Sequence, residues 1–275
     1  NGMVKSHRFP GANTALPFVN KDDAQLKTVQ DFLKDKQVTV DIFGMSPGKA
    51  REVKEAKNRA GEEAPRLAST FAIGEEGMDF GASKVFISEP TEVIAPLNKV
   101  ENLAVRRGDE MRLEVVVRTR KVGHFFPGGT VDGFDVWVEL QATDNNGKTI
   151  FWSGKTEDDA NGRKGPIEAG AHRYRSLMLD ERGNQINKRN AWAARSVAYV
   201  RLIPPGAADT IHYRLVIPPD CGDQITIKAK VNYRKFAWWN TQWAFAGVRD
   251  PNQKDYSITK NHDDGNWVFT GDTSG

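Results

Sequence analysis

Two of the five histidines lie in loops of similar composition. Residues 6–11 read SHRFPG and residues 123–128 read GHFFPG, so an aromatic residue and a proline-glycine bend follow both His7 and His124. Glycine permits such a bend and proline fixes it, so the loop can hold an imidazole outward against a flat apolar partner. An imidazole nitrogen is a good axial ligand for haem iron, and neighbouring aromatics can cover the edge of a porphyrin. Packing within the loop is the alternative role for these side chains.

The other three histidines do not have the spacing of a zinc hydrolase. His172, His212 and His262 form no HExxH pair and no pair four residues apart on a helix. His212 is expected on the exposed face of a strand, together with Thr210 and Arg214. We expect His172 to be exposed on a strand in the same way, and His262 to lie at the surface.

An enzyme is the least favoured interpretation of the sequence. Asp132 and Asp135 lie near His124 and could serve as acid and base, but they are close because they flank the start of a strand. The sequence identifies no nucleophile beside them. The chain also has no GxSxG elbow, no P-loop and no GxGxxG turn after a strand. We therefore predict no catalytic residues and no enzymatic activity.

Composition excludes several further classes of function. The net charge is +3, which gives no reason to expect a nucleic-acid partner. No apolar run approaches the roughly 20 residues that a membrane-spanning helix needs. Cys221 is the single cysteine, so the chain can form no internal disulfide, no cysteine-based zinc site and no CxxCH haem attachment.

A cluster of aromatic residues at positions 236–245 is a second candidate site. Its tryptophans, Trp238, Trp239 and Trp243, would form a platform for a carbohydrate or another cell-surface ligand if their rings are exposed. The alternative is that these rings fill the core at one end of the fold.

The loop of His124 is positioned by the segment from Met111 to Gly154. Apolar and polar residues alternate along residues 111–118 and again along 134–141, which predicts two half-buried strands on either side of the loop. The residues NNGK at 145–148 tolerate positive φ and predict a hairpin into a third strand.

The same signals recur through most of the chain. A capped helix is predicted after residue 20, a short strand over 38–44, and strands at 84–88, 91–96, 111–120, 133–143, 148–153, 172–180, 196–204, 209–217 and 223–233. This spacing predicts a mainly β fold, an antiparallel β-sandwich of immunoglobulin-like or Greek-key type with a short N-terminal helical segment. Residues 1–82 are expected to be an extended segment with one amphipathic helix and a charged excursion, 83–247 the sandwich, and 248–275 a surface tail.

Several long motifs resemble a known family. SHRFPGANTALP near the N-terminus, followed by a helix and VTVDIFGM, is similar to the segment after the last haem-attachment motif of bacterial multihaem c-type cytochromes. GHFFPGGTVDGFDVWVEL, IPPGAADTIHYRLVIP and KAKVNYRKFAWWNTQWAF resemble the β-rich C-terminal domain of the same proteins. The similarity covers roughly residues 5–250.

The resemblance implies a non-catalytic module of an exported, periplasmic or extracellular electron-transfer system. This module would cover or dock haem-bearing parts. Haem c would be held by a CxxCH-bearing segment or subunit that is not in this sequence, and that segment or subunit would be the partner. His7 would be a distal axial ligand to the haem iron, and His124 either a second ligand or a packing residue. Residues expected to pack beside the haem are Phe9, Pro10, Phe125 and Phe126.

Overall fold

A computed structural model describes residues 11–47, 93–101, 103–158, 164–187 and 189–241 of the chain. This part of the protein is mainly β, with antiparallel sheets and short helices near the N-terminus, so the predicted fold class is confirmed. Its elements are α1 (Ala15–Val19), α2 (Asp23–Lys34), β1 (Val38–Pro47), β2 (Glu110–Thr119), β3 (Asp135–Asp144), β4 (Thr149–Ser153), β5 (Ser176–Leu179), β6 (Ser196–Val200), β7 (Ala208–Val216) and β8 (Ile225–Arg234), with 3-10 turns at Leu97–Lys99 and Ala191–Ala193.

The helical segment holds one helix more than the sequence predicts. Helix α2 is where the capping signal places it, because the Asp22 side chain accepts a hydrogen bond from the Gln25 N–H at 3.0 Å. Helix α1 lies in a stretch that we predict to be irregular. The Asn13 side-chain oxygen accepts hydrogen bonds from the backbone N–H groups of Ala15 and Leu16 at 3.2 Å, so this side chain starts a short helix that apolar periodicity does not reveal.

The strand order joins segments that are far apart in sequence. One sheet has the order β1-β2-β7, a second has the order β4-β3-β8, and β5 pairs with β6 in a two-stranded sheet. Strands β2 and β3 follow each other in the chain yet lie in different sheets. The same is true of β7 and β8. Immunoglobulin-like sandwiches connect their strands in this way. The predicted strand at 84–88 lies outside the described residues. The described part of 91–96 forms only an isolated bridge, and the strands at 172–180 and 196–204 are shorter than predicted.

Strands β2 and β3 carry the core, and β3 is covered on both faces. Leu113, Val115 and Val117 of β2 are fully buried, as their alternation predicts. In β3 the alternate residues Trp137 and Glu139 are buried as well. A buried carboxylate needs partners, and that of Glu139 accepts hydrogen bonds from Trp152 Nε1 at 3.1 Å and Asn232 Nδ2 at 2.8 Å, with Lys230 Nζ at 3.0 Å.

The chain divides into two compact units. One consists of Asn1–Ile42, Glu114–Ile211 and Cys221–Gly275, and the other of Phe43–Leu113 and His212–Asp220. All the candidate site residues that the structure describes belong to the first unit. The predicted domain boundaries after residues 82 and 247 lie outside the described residues and stay predictions.

Candidate functional site

The loop of His124 is anchored at its inner end to the main chain of the core. Phe126 N–H donates to Ile203 O at 2.8 Å, and Ile203 N–H donates back to Phe126 O at 2.7 Å. Pro127, which follows through a cis peptide bond, is buried. Two backbone hydrogen bonds and a buried proline therefore hold the base of the loop, while His124 and Phe125 lie at the surface.

The imidazole of His124 is oriented by its own loop. A carbonyl oxygen can only accept, so Nδ1–H of His124 donates to Phe125 O at 2.7 Å, and this tautomer leaves the lone pair on Nε2. The ring also lies over Gly128, because a Cβ added there would overlap the imidazole. Within the described residues, no hydrogen bond is made to Nε2. Histidines that bind a metal usually donate their other ring N–H to a carbonyl, a carboxylate or water in this way.

The two phenylalanines of the loop have different environments. Phe125, beside the imidazole, is 54% exposed, as a residue that covers an external flat partner would be. Phe126 is half-buried, and its ring packs against that of Tyr174 at a centroid distance of 5.9 Å. Of the residues predicted to pack beside a haem, Phe125 therefore faces outward and Phe126 faces the core. His7, Phe9 and Pro10 lie outside the described residues.

A second histidine is part of an internal network that the sequence did not predict. His172 was expected to be exposed, but its side chain retains only 17% exposure, so that expectation is wrong. Its Nε2–H donates to Asp209 Oδ2 at 2.8 Å, and Tyr174 O–H donates to the same oxygen at 3.0 Å. His172 and Tyr174 also pack edge to face with their ring centroids 5.2 Å apart.

The carboxylate of Asp209 stays ionised within this network. Burial by itself would raise its pKa, but the hydrogen bonds from His172 and Tyr174 together with charge attraction from His172 and Arg201 outweigh burial, and the pKa lies below the usual value of 3.8. Because the Tyr174 ring packs against Phe126, the network supports the inner side of the loop that presents His124. His172 and Asp209 are 37 positions apart in the sequence, so no local pattern reveals the pair.

Trp238 and Trp239, the two tryptophans of the aromatic cluster that the structure describes, do not form a flat platform. Trp238 and Trp239 lie edge to face, with centroids 4.6 Å apart and an interplanar angle of 86°. Trp238 is half-buried and its indole N–H donates to Lys164 O at 3.1 Å, while Trp239 is 40% exposed. Residues 238–241 form one helical turn, as the sequence allows, and Trp243 lies outside the described residues.

Asp135, one of the two acidic residues near His124 in the sequence, is engaged elsewhere. Its carboxylate accepts from the backbone N–H of Trp238 at 3.1 Å and faces Arg234 Nε at 3.7 Å. In the described ranges, no group of three or more histidine, cysteine or acidic side chains could hold a metal ion. An axial haem ligand differs from such a site because it needs one imidazole only. Cys221, the single cysteine of the chain, is buried.

Among the described helices, none is both long and apolar enough to cross a membrane. No protein-family model matches the sequence, and no curated protein matches it significantly. A solved structure, the penta-heme cytochrome c552 from Thermochromatium tepidum, is similar over 49% of this chain and 30% of that chain, with 14% identity and a TM-score of 0.33. At that TM-score the likeness carries no argument about function.

Proposed function

We propose that the protein is a non-catalytic β-sandwich module of an exported, periplasmic or extracellular multihaem cytochrome system. It docks against a haem-bearing segment or subunit and covers part of its surface. His124 lends its Nε2 to a haem iron there. The sequence resemblance supports the family, and the single observation that carries the proposal for this site is the orientation of the His124 imidazole.

The His124 loop meets the requirements of an axial ligand. The hydrogen bond that Nδ1–H donates to Phe125 O fixes the tautomer and leaves Nε2 as the nitrogen that can ligate iron. The contact with Gly128 limits rotation of the ring, so little freedom is lost when the iron binds. A haem bound there would supply one-electron redox chemistry, and ligation together with burial would adjust its potential.

The partner must bring the covalent attachment of the haem. A c-type haem is attached through CxxCH, and this sequence has one cysteine, Cys221, which is buried. Phe125 offers an exposed apolar face next to the imidazole, which suits the edge of a porphyrin carried by another segment. His7 has a similar sequence context and stays a predicted ligand for the same or a second haem.

The alternative function, carbohydrate or cell-surface binding through Trp238, Trp239 and Trp243, is not favoured by the described geometry. Edge-to-face rings do not offer a shared flat surface, and the indole N–H of Trp238 is already used internally. That alternative stays a prediction from the sequence.

The proposal is tested by purifying the protein from its native cells and recording ultraviolet-visible spectra, first oxidised and then reduced with dithionite. We expect sharp reduced bands of low-spin haem from a co-purifying cytochrome. The His124→Ala and His7→Ala variants should each be compared with His212→Ala, which changes an exposed histidine on a strand outside the loop. A preparation without haem bands and without a haem-bearing partner would contradict the proposal.

A further inference from the structure

The loop between β5 and β6 forms a small cleft at the tip of this two-stranded sheet. We call it the tip cleft; its volume is about 230 Å³, and the side chains around it include Asp180, Glu181, Arg182, Asn190, Trp192 and Arg195. Sites for drug-sized ligands measure about 300–1,000 Å³, so this cleft suits a ligand of one ring. It shares no residue with the His124 loop, and the proposal for it is independent of the proposed function.

The walls of the tip cleft are held by local hydrogen bonds. Asp180 Oδ1 accepts from the backbone N–H groups of Arg182 at 2.9 Å and Asn184 at 2.8 Å, which closes the turn on one side. On the other side, Arg195 N–H donates to Leu179 O at 2.9 Å, and its guanidinium donates to Ala194 O at 3.0 Å. The cleft therefore exists before any ligand binds, which reduces the entropy lost on binding.

Trp192 provides an apolar surface beside the cleft. It lies in the 3-10 turn Ala191–Ala193 and is 66% exposed, against 45% for Trp152 and 40% for Trp239. An exposed tryptophan beside a cleft offers a ligand a large apolar contact surface. Its face can pack against the C–H groups on one side of a saturated ring, and its indole N–H can donate a hydrogen bond.

Asn190 provides an unsatisfied polar group at the same place. The residue is only 9% exposed, and its Oδ1 is buried with no hydrogen-bond partner among the described residues. Buried side-chain oxygens nearly always have a donor, so an unpaired one at a cleft indicates a missing hydroxyl or N–H group.

The charges around the cleft select a neutral ligand. Two carboxylates, Asp180 and Glu181, oppose two guanidinium groups, Arg182 and Arg195, so neither an anion nor a cation gains a net attraction. These groups can each accept or donate hydrogen bonds, which suits a ligand that carries several hydroxyls. We propose that the tip cleft binds one saccharide ring, which packs on Trp192 and donates a hydroxyl hydrogen to Asn190 Oδ1.

The experiment is a nuclear magnetic resonance titration that follows the indole N–H signals. The probes are glucose, galactose, mannose and N-acetylglucosamine as methyl glycosides, with inorganic phosphate as a charged comparison. The Trp192 signal is assigned by its loss in Trp192→Phe, and the Trp152 and Trp239 signals serve as internal controls. We expect a saturable shift of the Trp192 signal with at least one glycoside, while the Trp152 and Trp239 signals stay in place.

Three variants distinguish a specific binding site from nonspecific stacking. Trp192→Ala should abolish saturable binding, read from backbone amide signals of the turn, because the apolar face is gone. Asn190→Ala should weaken binding about tenfold, as expected for one lost hydrogen bond; Asn190→Asp, which retains the acceptor oxygen, should weaken it less. No saturable shift with any of the four glycosides would overturn the proposal, as would a larger shift with phosphate or equal binding by Asn190→Ala.

Discussion

His124 and His172 each donate one hydrogen bond to an oxygen of the protein, but they use their imidazoles in opposite ways. His124 bonds to the adjacent carbonyl of Phe125 and keeps Nε2 at the surface. His172 directs Nε2–H to Asp209, a carboxylate on a distant strand, and its side chain is largely covered. One histidine is available to an external partner, and the other stabilises the interior.

The two sites are connected through Phe126. Its backbone pairs with Ile203 and its ring packs against Tyr174, whose hydroxyl shares Asp209 with His172. The internal site therefore supports the base of the loop that presents His124. We therefore expect substitutions at the internal site to lower the stability of the fold. Substitutions in the loop should alter binding and leave stability unchanged.

The largest expected effect is that of Tyr174→Ala. Tyr174 is fully buried, and removing its ring leaves a cavity between Phe126 and His172, so the free energy of unfolding should fall by about 3–5 kcal/mol. Phe125→Ala, at the exposed position of the loop, should change it by about 0.5 kcal/mol or less. Urea unfolding of both variants measures this difference. Equal losses would show that the loop and the internal site are not distinct.

Asp209→Asn should have the next largest effect. The amide cannot replace the charged acceptor that His172 and Tyr174 share, and hydrogen bonds to charged groups contribute about 1.5–3 kcal/mol. Asp41→Asn, at an exposed position, is the matched control and should be nearly neutral. A neutral Asp209→Asn in urea unfolding would mean that the network does not stabilise the fold.

The contribution of Asp209 should depend on pH in a defined direction. Its pKa is lowered in the folded protein, so its stabilisation is fully present above the unfolded pKa of about 4 and is lost as pH falls through the folded pKa. The difference in unfolding free energy between the wild type and Asp209→Asn should therefore be constant near neutral pH and shrink below about pH 4. A difference that grows on acidification would contradict the assignment.

Much of this architecture could be predicted from the sequence, because alternation along β2 and the Asn-Gly turn before β4 are local signals. The His124 loop was found in the same way, from residues adjacent in the chain. Helix α1 was missed because a single side chain, Asn13, starts it. The His172–Asp209 pair was missed because tertiary packing, which no short pattern encodes, brings the two residues together.

A smaller effect is expected from Gly128→Ala. Its backbone accepts a side chain, but the new Cβ would overlap the imidazole of His124 and force the ring to move. Gly123→Ala is the matched control, since a Cβ there meets nothing within 4 Å. We expect shifted imidazole signals for His124 in the first variant and unchanged ones in the second, with little change in stability for either. Unshifted signals in Gly128→Ala would show that the ring is not held by this contact.

The most direct test of the central claim is electron paramagnetic resonance of the oxidised haem in preparations from native cells. The spectrum of the wild type should be compared with those of His124→Ala and His212→Ala. If His124 ligates a haem iron, its removal should convert one low-spin ferric signal to high spin, while His212→Ala leaves the spectrum unchanged. Identical low-spin signals in the wild type and His124→Ala would contradict the claim that this loop lends an axial ligand.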